Sequence, residues 1–298
     1  MNKSKFYTIE YIISMLIYGT CGIISKFVSV SSGFIVFSRA FIGSIIIILY
    51  LLIRRRKPNF IEIKKNLKWL ILSGACIGCN WICLFTSYNY VSVSVSSLCN
   101  YLAPALFIIV TIILFKEKIS FLKILCVIIA LIGIVLLSGI IGSNNNVNYI
   151  GVILGIGAAL FYLGLLVFNR FVKDIDPIEK TLIELITVTI VTAPYAFITF
   201  DYSASIFTLN NILLLLLLGI VHTGIAYILY LGSMNHLQSQ SVAIFSYFEP
   251  VIAVLLSYFL LNEYLSIFGW IGGGLILGST FVYELLNERD NKIIINNS

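Results

Sequence analysis

The chain has 298 residues, of which 60% are hydrophobic and only 11% are charged. A soluble globular domain carries about 25% charged residues, so this composition excludes an ordinary water-soluble protein and favours a membrane protein. The net charge of +6 does not indicate a nucleic-acid partner, because the basic residues cluster beside apolar runs, most densely in residues 54–68.

Ten apolar runs are long enough to cross a bilayer, which takes about 20 residues of helix. They lie at residues 8–28, 34–53, 67–90, 94–115, 121–141, 149–171, 178–200, 210–234, 240–261 and 266–286. Polar or charged segments separate them. We therefore predict an all-α integral membrane protein with ten transmembrane helices, surrounded by membrane lipid.

Lysine and arginine residues predict how these helices are oriented. With the N-terminus placed in the cytoplasm, 17 of the 19 basic residues fall on the cytoplasmic side, and only Lys26 and Arg39 fall toward the outer side. Cytoplasmic loops of membrane proteins are enriched in basic residues. We therefore expect a multi-pass protein of the cell membrane with both termini in the cytoplasm.

A sequence motif in the fourth predicted helix returns in the ninth, 146 positions later. The repeated pairs are Tyr101 and Tyr247, Pro104 and Pro250, Glu117 and Glu263, and Ser120 and Ser266. Each half holds five helices, an odd number, so the second half crosses the membrane in the opposite direction. Inverted repeats of this kind are typical of secondary transporters. We predict one five-helix repeat at residues 1–142 and a second at residues 143–298.

The stretch FEPVIAVLLSYFLLNEYLS, residues 248–266, resembles the hallmark of the EamA-type transporters of the drug/metabolite transporter superfamily. In that family a helix begins near a Glu-Pro pair and ends in a Gly-Glu-x-Leu pattern. The matching residues here are Glu249, Pro250, Asn262 (where Gly is common), Glu263 and Leu265, and in the first half Pro104, Lys116 (in the Gly position), Glu117 and Ile119. The resemblance covers essentially the whole chain. It implies that the protein is a helical bundle with a central cavity and that it transports a small metabolite.

Four residues of the repeated motif are interpreted as structural. Glu117 and Glu263 end helices beside loops, where a carboxylate can cap the N-terminus of the following helix together with the serine three residues on. Pro104 and Pro250 lie early in their helices and locally free the backbone from helical hydrogen bonding.

Glu249 and His222 are the candidates for proton coupling and substrate binding. Glu249 lies near mid-membrane, where a charge costs at least about 2.5 kcal/mol, so it needs a cavity, a partner or a proton. His222 lies near the middle of the eighth helix and can donate, accept or titrate near neutral pH. The competing interpretations are a structural hydrogen bond for Glu249 and a satisfied packing position for His222.

Aromatic and amide side chains are expected to complete a substrate cavity, because they combine apolar area with polar handles. The candidates are Tyr18, Asn80, Trp81, Asn100, Tyr101, Tyr162, Tyr227 and Tyr247. Such an aromatic box with one acid would also suit a quaternary ammonium. Packing or anchoring at the membrane interface is the alternative for many of them.

Arg39 and Glu184 lie at mirrored places near the starts of the second and seventh helices. The interpretations are that Arg39 extends outward toward the membrane interface, that Glu184 pairs with inner basic residues such as Lys180, or that either residue acts as a gate. Small residues four positions apart, which permit close helix contacts, occur at Gly74 and Gly78, Gly151 and Gly155, and Gly274 and Gly278. The last pair leaves open whether it packs within the bundle or forms a homodimer.

Neither an enzyme nor a cofactor-binding protein is indicated. The chain has no His-x-x-x-His, no Gly-x-Ser-x-Gly and no phosphate-binding glycine loop. Cys76, Cys79 and Cys83 share a helix face, but no second pair of ligands stands at zinc spacing. We therefore expect no catalytic residue, no metal and no cofactor.

The predicted function is a secondary transporter for a small-molecule substrate, an amino acid or related compound, most simply by efflux. The alternatives are an uptake carrier for a cationic amine such as choline and a broad drug exporter. Transport by alternating access is expected, and proton coupling remains open beside a purely facilitative mechanism.

Overall fold

The computed structural model describes residues 3–56, 58–115, 121–137, 148–200, 208–234, 236–237 and 239–296. Within these ranges the chain is helical and contains no strand. Buried in lipid, the backbone must satisfy its own hydrogen bonds, which is why apolar runs of this length form helices.

Ten helical spans follow one another in the described part of the chain. Seven are single helices: α1 Lys3–Lys26, α2 Ser32–Ile53, α3 Phe60–Ser87, α5 Phe121–Leu137, α6 Tyr149–Asn169, α7 Pro177–Ile198 and α10 Ile267–Asn296. Three are built of pieces: α4 Val93–Asn100 and Leu102–Phe115, α8 Leu209–Gly219, Ile220–Ile225 and Ala226–Met234, and α9 Ser239–Ser246 and Phe248–Leu261. The predicted fold class is confirmed.

Six of the spans, α1, α2, α3, α6, α7 and α8, are long and apolar enough to cross a membrane. The other four contain shorter apolar helices, at residues 93–107, 124–137, 248–261 and 267–283. Side-chain caps start several spans. Ser31 accepts a hydrogen bond from the amide of Phe34, and Asp176 accepts one from the amide of Ile178 directly before Pro177.

The internal repeat is visible in the ends of the helix pieces. The two pieces of α4 are separated at Tyr101 and the two pieces of α9 at Tyr247, and all four piece ends of α4 also recur 146 positions later in α9. Pro104 and Pro250 explain both breaks, because a proline has no amide hydrogen to donate to the carbonyl four residues earlier.

Many contacts between helices join the first half of the chain to the second. α1 packs against α8 and α9 of the second half, whereas α6 packs against α3 and α4 of the first half. Equivalent helices meet each other, α2 with α7 and α5 with α10. The two inverted five-helix repeats are thus interlocked, and the space between them is lined by both.

Helices α5 and α10 approach each other closely at two glycines. A Cβ added to Gly272 would lie 2.4 Å from the carbonyl oxygen of Gly133, and one added to Gly133 would lie 2.7 Å from the carbonyl oxygen of Gly272. By contrast, a Cβ on Gly274 or Gly278 would meet no described atom within 4 Å. The close contact within the bundle therefore runs through Gly272, while the face of Gly274 and Gly278 is open and a homodimer there remains a prediction.

We expect Gly272→Ala to lower the free energy of unfolding by about 1–3 kcal/mol, because the new methyl group must push two backbones apart. Gly274→Ala, two positions away, is the matched control and should be neutral or slightly stabilising, since alanine favours helix over glycine. Thermal unfolding of both variants in detergent checks this. Equal destabilisation by the two substitutions would contradict the contact.

Candidate functional site

A cavity of about 590 Å³ lies between the two repeats and is lined by residues of every span except α5 and α10. Small-molecule sites typically measure about 300–1,000 Å³. Its lining continues to Lys173, Asp174 and Lys180, around the connection from α6 to α7. The cavity therefore reaches the side of the bundle where α1 begins, here named the terminal side.

Most of the candidate substrate residues meet in this cavity. Tyr18, Asn80, Trp81, Asn100, Tyr101, Tyr162, Tyr227 and Glu249 line it, together with Pro104 and Pro250. Tyr247 is not part of the described lining and packs edge-on against Phe281, with ring centroids 5.5 Å apart. His222 also lies outside the described lining. The functional roles of all these residues stay predictions.

Glu249 presents its carboxylate to the cavity directly after the break in α9. The Tyr101 hydroxyl, at the equivalent break in α4, lies within hydrogen-bonding reach of this carboxylate. Opposite, a Cβ on Gly19 would lie 2.8 Å from the carbonyl oxygen of Glu249, so α1 touches the α9 backbone at this level. The acid is therefore held at the cavity wall by two neighbouring helices.

Arg39 was missed as a cavity residue. It is only 4% exposed, lines the cavity, and stacks its guanidinium over Trp81 at 4.0 Å from the ring centroid and over Phe85 at 5.2 Å. Its Nε donates to the Thr223 hydroxyl at 3.1 Å, and Nη1 donates to the Cys21 sulfur at 3.1 Å. The prediction that Arg39 extends outward is wrong, because aromatic faces and a hydroxyl receive it inside the bundle. The sequence feature that could have indicated this position is a single arginine inside an apolar run.

The widened turn Ile220–Ile225 of α8 is a π-helix, and it places both Thr223 and His222. The Thr223 hydroxyl donates to the carbonyl of Leu218 at 3.0 Å, which leaves its lone pairs to accept from Arg39. His222, 3% exposed, is within 2.9 Å of the Thr20 hydroxyl through Nε2 and 3.2 Å of the Leu217 carbonyl through Nδ1. His222 therefore lies at the contact of α1 with α8.

Glu184, the residue mirrored to Arg39, also lines the cavity. It is buried and accepts a hydrogen bond from the Ser73 hydroxyl at 2.7 Å. Lys180, one turn earlier, lines the same part of the cavity but forms no salt bridge with Glu184 among the described residues. The direct partner of Glu184 is therefore the Ser73 hydroxyl, while Lys180 interacts with Glu184 electrostatically and not through a salt bridge.

Glu263 joins three spans on the side opposite the terminal side, here named the far side. Its carboxylate lies 3.4 Å from Lys26 Nζ at the end of α1 and accepts from the amide of Val93, the first residue of α4, at 2.8 Å. The Ser257 hydroxyl donates to it within α9, and Lys26 also donates to the Tyr88 carbonyl. These bonds close the bundle between the cavity and the far side.

The capping prediction for Glu263 is wrong about which helix it caps. Glu263 caps α4 of the other repeat rather than the helix that follows it, while the Ser266 hydroxyl accepts from the amide of Gly269 and starts α10. Glu263 shares this N-terminus with Ser92, whose hydroxyl accepts from the amide of Val95 at 3.2 Å, and a negative charge is favoured beside the amides of a helix N-terminus. The equivalent pair Glu117 and Ser120 lies outside the described residues.

Ten helices in two inverted repeats around a cavity with aromatic and charged residues are the architecture of a membrane transporter. The profile of the EamA-like transporter family matches residues 7–139 and again 149–284. The chain belongs to the EamA-like transporter family and is a transporter, not an enzyme.

Similar proteins carry the same general description. An uncharacterized transporter of Bacillus subtilis (strain 168), YxxF, is 27% identical over 250 residues, covering 83% of this chain and 79% of its own length. A second one from that strain, YoaV, is 24% identical over 254 residues, covering 84% and 86%. A solved crystal structure at 19% identity shares the fold, with a TM-score of 0.59 over 94% of this chain and 98% of that chain.

Proposed function

We propose that this transporter carries an amino acid or a related small metabolite out of the cell by alternating access. The observation that carries the proposal is the Glu249 carboxylate in an aromatic-lined cavity of about 590 Å³. A carboxylate there suits the ammonium group of an amino acid, and the volume lies within the range of small-molecule sites. No phosphate-binding loop is present in the sequence, which favours a secondary over a nucleotide-driven mechanism.

Efflux is proposed as the direction of transport, and the cavity of this structure corresponds to the loading state of such an exporter. The cavity reaches the terminal side, and the excess of lysine and arginine on that side favours its placement in the cytoplasm. A cavity open to the cytoplasm loads substrate from the cell interior. The repeats at residues 1–142 and 143–298 are proposed as the two bodies that rearrange around the cavity in the cell membrane.

Proton coupling is proposed for Glu249 rather than for His222. Glu249 faces the cavity, where it can exchange a proton with water or with substrate. Both ring nitrogens of His222 have partners within 3.2 Å, in Thr20 and Leu217. His222 is therefore the second candidate, behind Glu249.

A cationic amine such as choline is the second candidate substrate. It is favoured by the tyrosines of α1 and α8 in the cavity, where the ring of Tyr18 lies 5.7 Å from that of Tyr227 and 6.2 Å from that of Tyr230. Aromatic faces beside one acid attract quaternary ammonium groups. A broad drug exporter would use the same features with less selectivity.

Counterflow in liposomes tests the proposal. Purified protein is placed in liposomes preloaded with leucine, phenylalanine, serine or choline, and the uptake of the matching labelled compound is followed against protein-free liposomes. We expect transient accumulation of at least one amino acid and none of choline. Accumulation of choline without any amino acid would establish the alternative carrier, and indiscriminate accumulation of cationic drugs would favour a broad exporter.

A further inference from the structure

We propose that Arg39 binds an anionic group of the transported molecule, so that the cavity selects zwitterions such as α-amino acids over simple cations. This assignment rests on the transport function proposed above and specifies its substrate class. It gives the cavity two binding poles: Arg39 for a carboxylate and Glu249 for an ammonium group.

The first argument is the charge environment of Arg39. A cation inside a membrane bundle is costly unless a partner or water receives it. The described groups that touch the guanidinium are the neutral Thr223 hydroxyl, the Cys21 sulfur and the rings of Trp81 and Phe85. Among the described residues, no carboxylate forms a salt bridge with Arg39. The groups in direct contact with the guanidinium therefore carry no negative charge, which leaves room for an anionic group of a ligand beside it.

The second argument is the number of donors that remain. A guanidinium carries five N–H donors in a rigid fork that matches a carboxylate. In the described part of the chain, hydrogen bonds are formed by Nε to Thr223 and by Nη1 to Cys21, whose sulfur is a weak acceptor. Donors of the fork are thus left for a bidentate contact with a bound anion.

Glu249 supplies the opposite pole of the same cavity. It lines the cavity with Arg39, and the two charges are close enough to interact, yet they form no salt bridge with each other. A molecule that carries both charges can satisfy both residues at once. A cation alone would leave Arg39 without an anionic partner and would be repelled by it, so simple amines should bind less tightly than zwitterions.

Thr223 acts as the positioning residue for Arg39. In the π-helical turn, the Thr223 hydroxyl donates its hydrogen to the carbonyl of Leu218 and faces α2. The hydroxyl oxygen can therefore accept a hydrogen bond from Nε of Arg39. Single π-helical turns are frequent at functional sites. Tyr18 also lines the cavity, and its buried hydroxyl forms no hydrogen bond with any described residue.

The test compares matched ligands that differ only in charge. The wild-type protein is titrated with leucine, leucinamide (cation only) and 4-methylpentanoate (anion only), and with the corresponding phenylalanine and serine sets. Thermal stability and counterflow are measured for each compound. We expect at least one amino acid to bind about tenfold or more tightly than both its amide and its deaminated acid, because each loses a charged hydrogen-bonded contact.

Three variants assign the preference to Arg39. Arg39→Gln should weaken the amino acid about tenfold or more while leaving its amide unchanged or tighter. Thr223→Val should also weaken binding of the amino acid, whereas Thr223→Ser, which keeps the hydroxyl, should bind it like the wild type. This comparison separates positioning of Arg39 from an effect on folding. Each variant is checked for an unchanged elution volume and a cooperative melt before binding is measured.

The outcomes separate this inference from the proposed function. Amino-acid counterflow in the wild type that persists equally in a folded Arg39→Gln overturns the anion pole but leaves the transport function standing. Equal binding of amino acids and their amides by the wild type would likewise overturn the anion pole and leave the transport function standing. Absence of any amino-acid binding or counterflow in the wild type overturns both proposals.

Discussion

Replacing Glu249 by glutamine is expected to lower amino-acid counterflow about 10- to 100-fold without unfolding the protein. Glutamine keeps the shape of the side chain and can still hydrogen-bond the Tyr101 hydroxyl, so the wall formed by α4 and α9 should persist. The charge that attracts an ammonium group is lost, and a hydrogen bond to a charged group contributes about 1.5–3 kcal/mol. Counterflow at several substrate concentrations, read beside the melting temperature, checks both parts of the expectation.

The matched control for this change is Glu62→Gln. Glu62 lies in the first turn of α3, forms an exposed pair with Lys65 at 2.7 Å, and is outside the cavity lining. We expect its counterflow to match that of the wild type, since an exposed pair contributes little. If Glu249→Gln transports as well as the control, and still responds to an imposed proton gradient, Glu249 is neither the ammonium site nor the proton carrier.

The fold was readable from the sequence because membrane burial imposes strong constraints. Apolar runs of about 20 residues predicted all ten spans, and the repeated proline predicted where the backbone of α4 and α9 departs from a regular helix. Arg39 was misplaced for the opposite reason. Its hydrogen-bond partner Thr223 is 184 positions away, and no local pattern shows that α2 and α8 meet at that level.

The symmetry of the sequence also limited the prediction of the site. Tyr101 and Tyr247 are equivalent in the repeat, and the sequence offers no reason to separate them. In the structure Tyr101 lines the cavity while Tyr247 packs against Phe281. An inverted repeat that is open on one side is necessarily asymmetric, so equivalent residues have different surroundings in any one conformation. Equivalent surroundings are expected only after averaging over both states.

Removal of the Glu263 carboxylate, as in Glu263→Ala, is expected to loosen closure of the far side. The side chain connects the end of α1, the start of α4 and the end of α9 through Lys26, Val93 and Ser257. Its loss leaves the Val93 amide and the Ser257 hydroxyl without this acceptor and leaves the Lys26 ammonium with the Tyr88 carbonyl, at a cost of about 1–3 kcal/mol. A change of that size shifts a two-state equilibrium about 5- to 150-fold.

Hydrogen–deuterium exchange measures this shift directly. In Glu263→Ala we expect faster exchange in residues 88–95 and 257–266, which surround the lost contacts. If the far side opens as the terminal side closes, residues 170–180 at the cavity mouth should exchange more slowly, because alternating access couples the two. Glu62→Ala, which removes a half-buried carboxylate on the terminal side, should leave both regions unchanged. Faster exchange confined to residues 88–95 and 257–266 would make Glu263 a local cap, whereas opposite changes at the two ends would make it part of the gate.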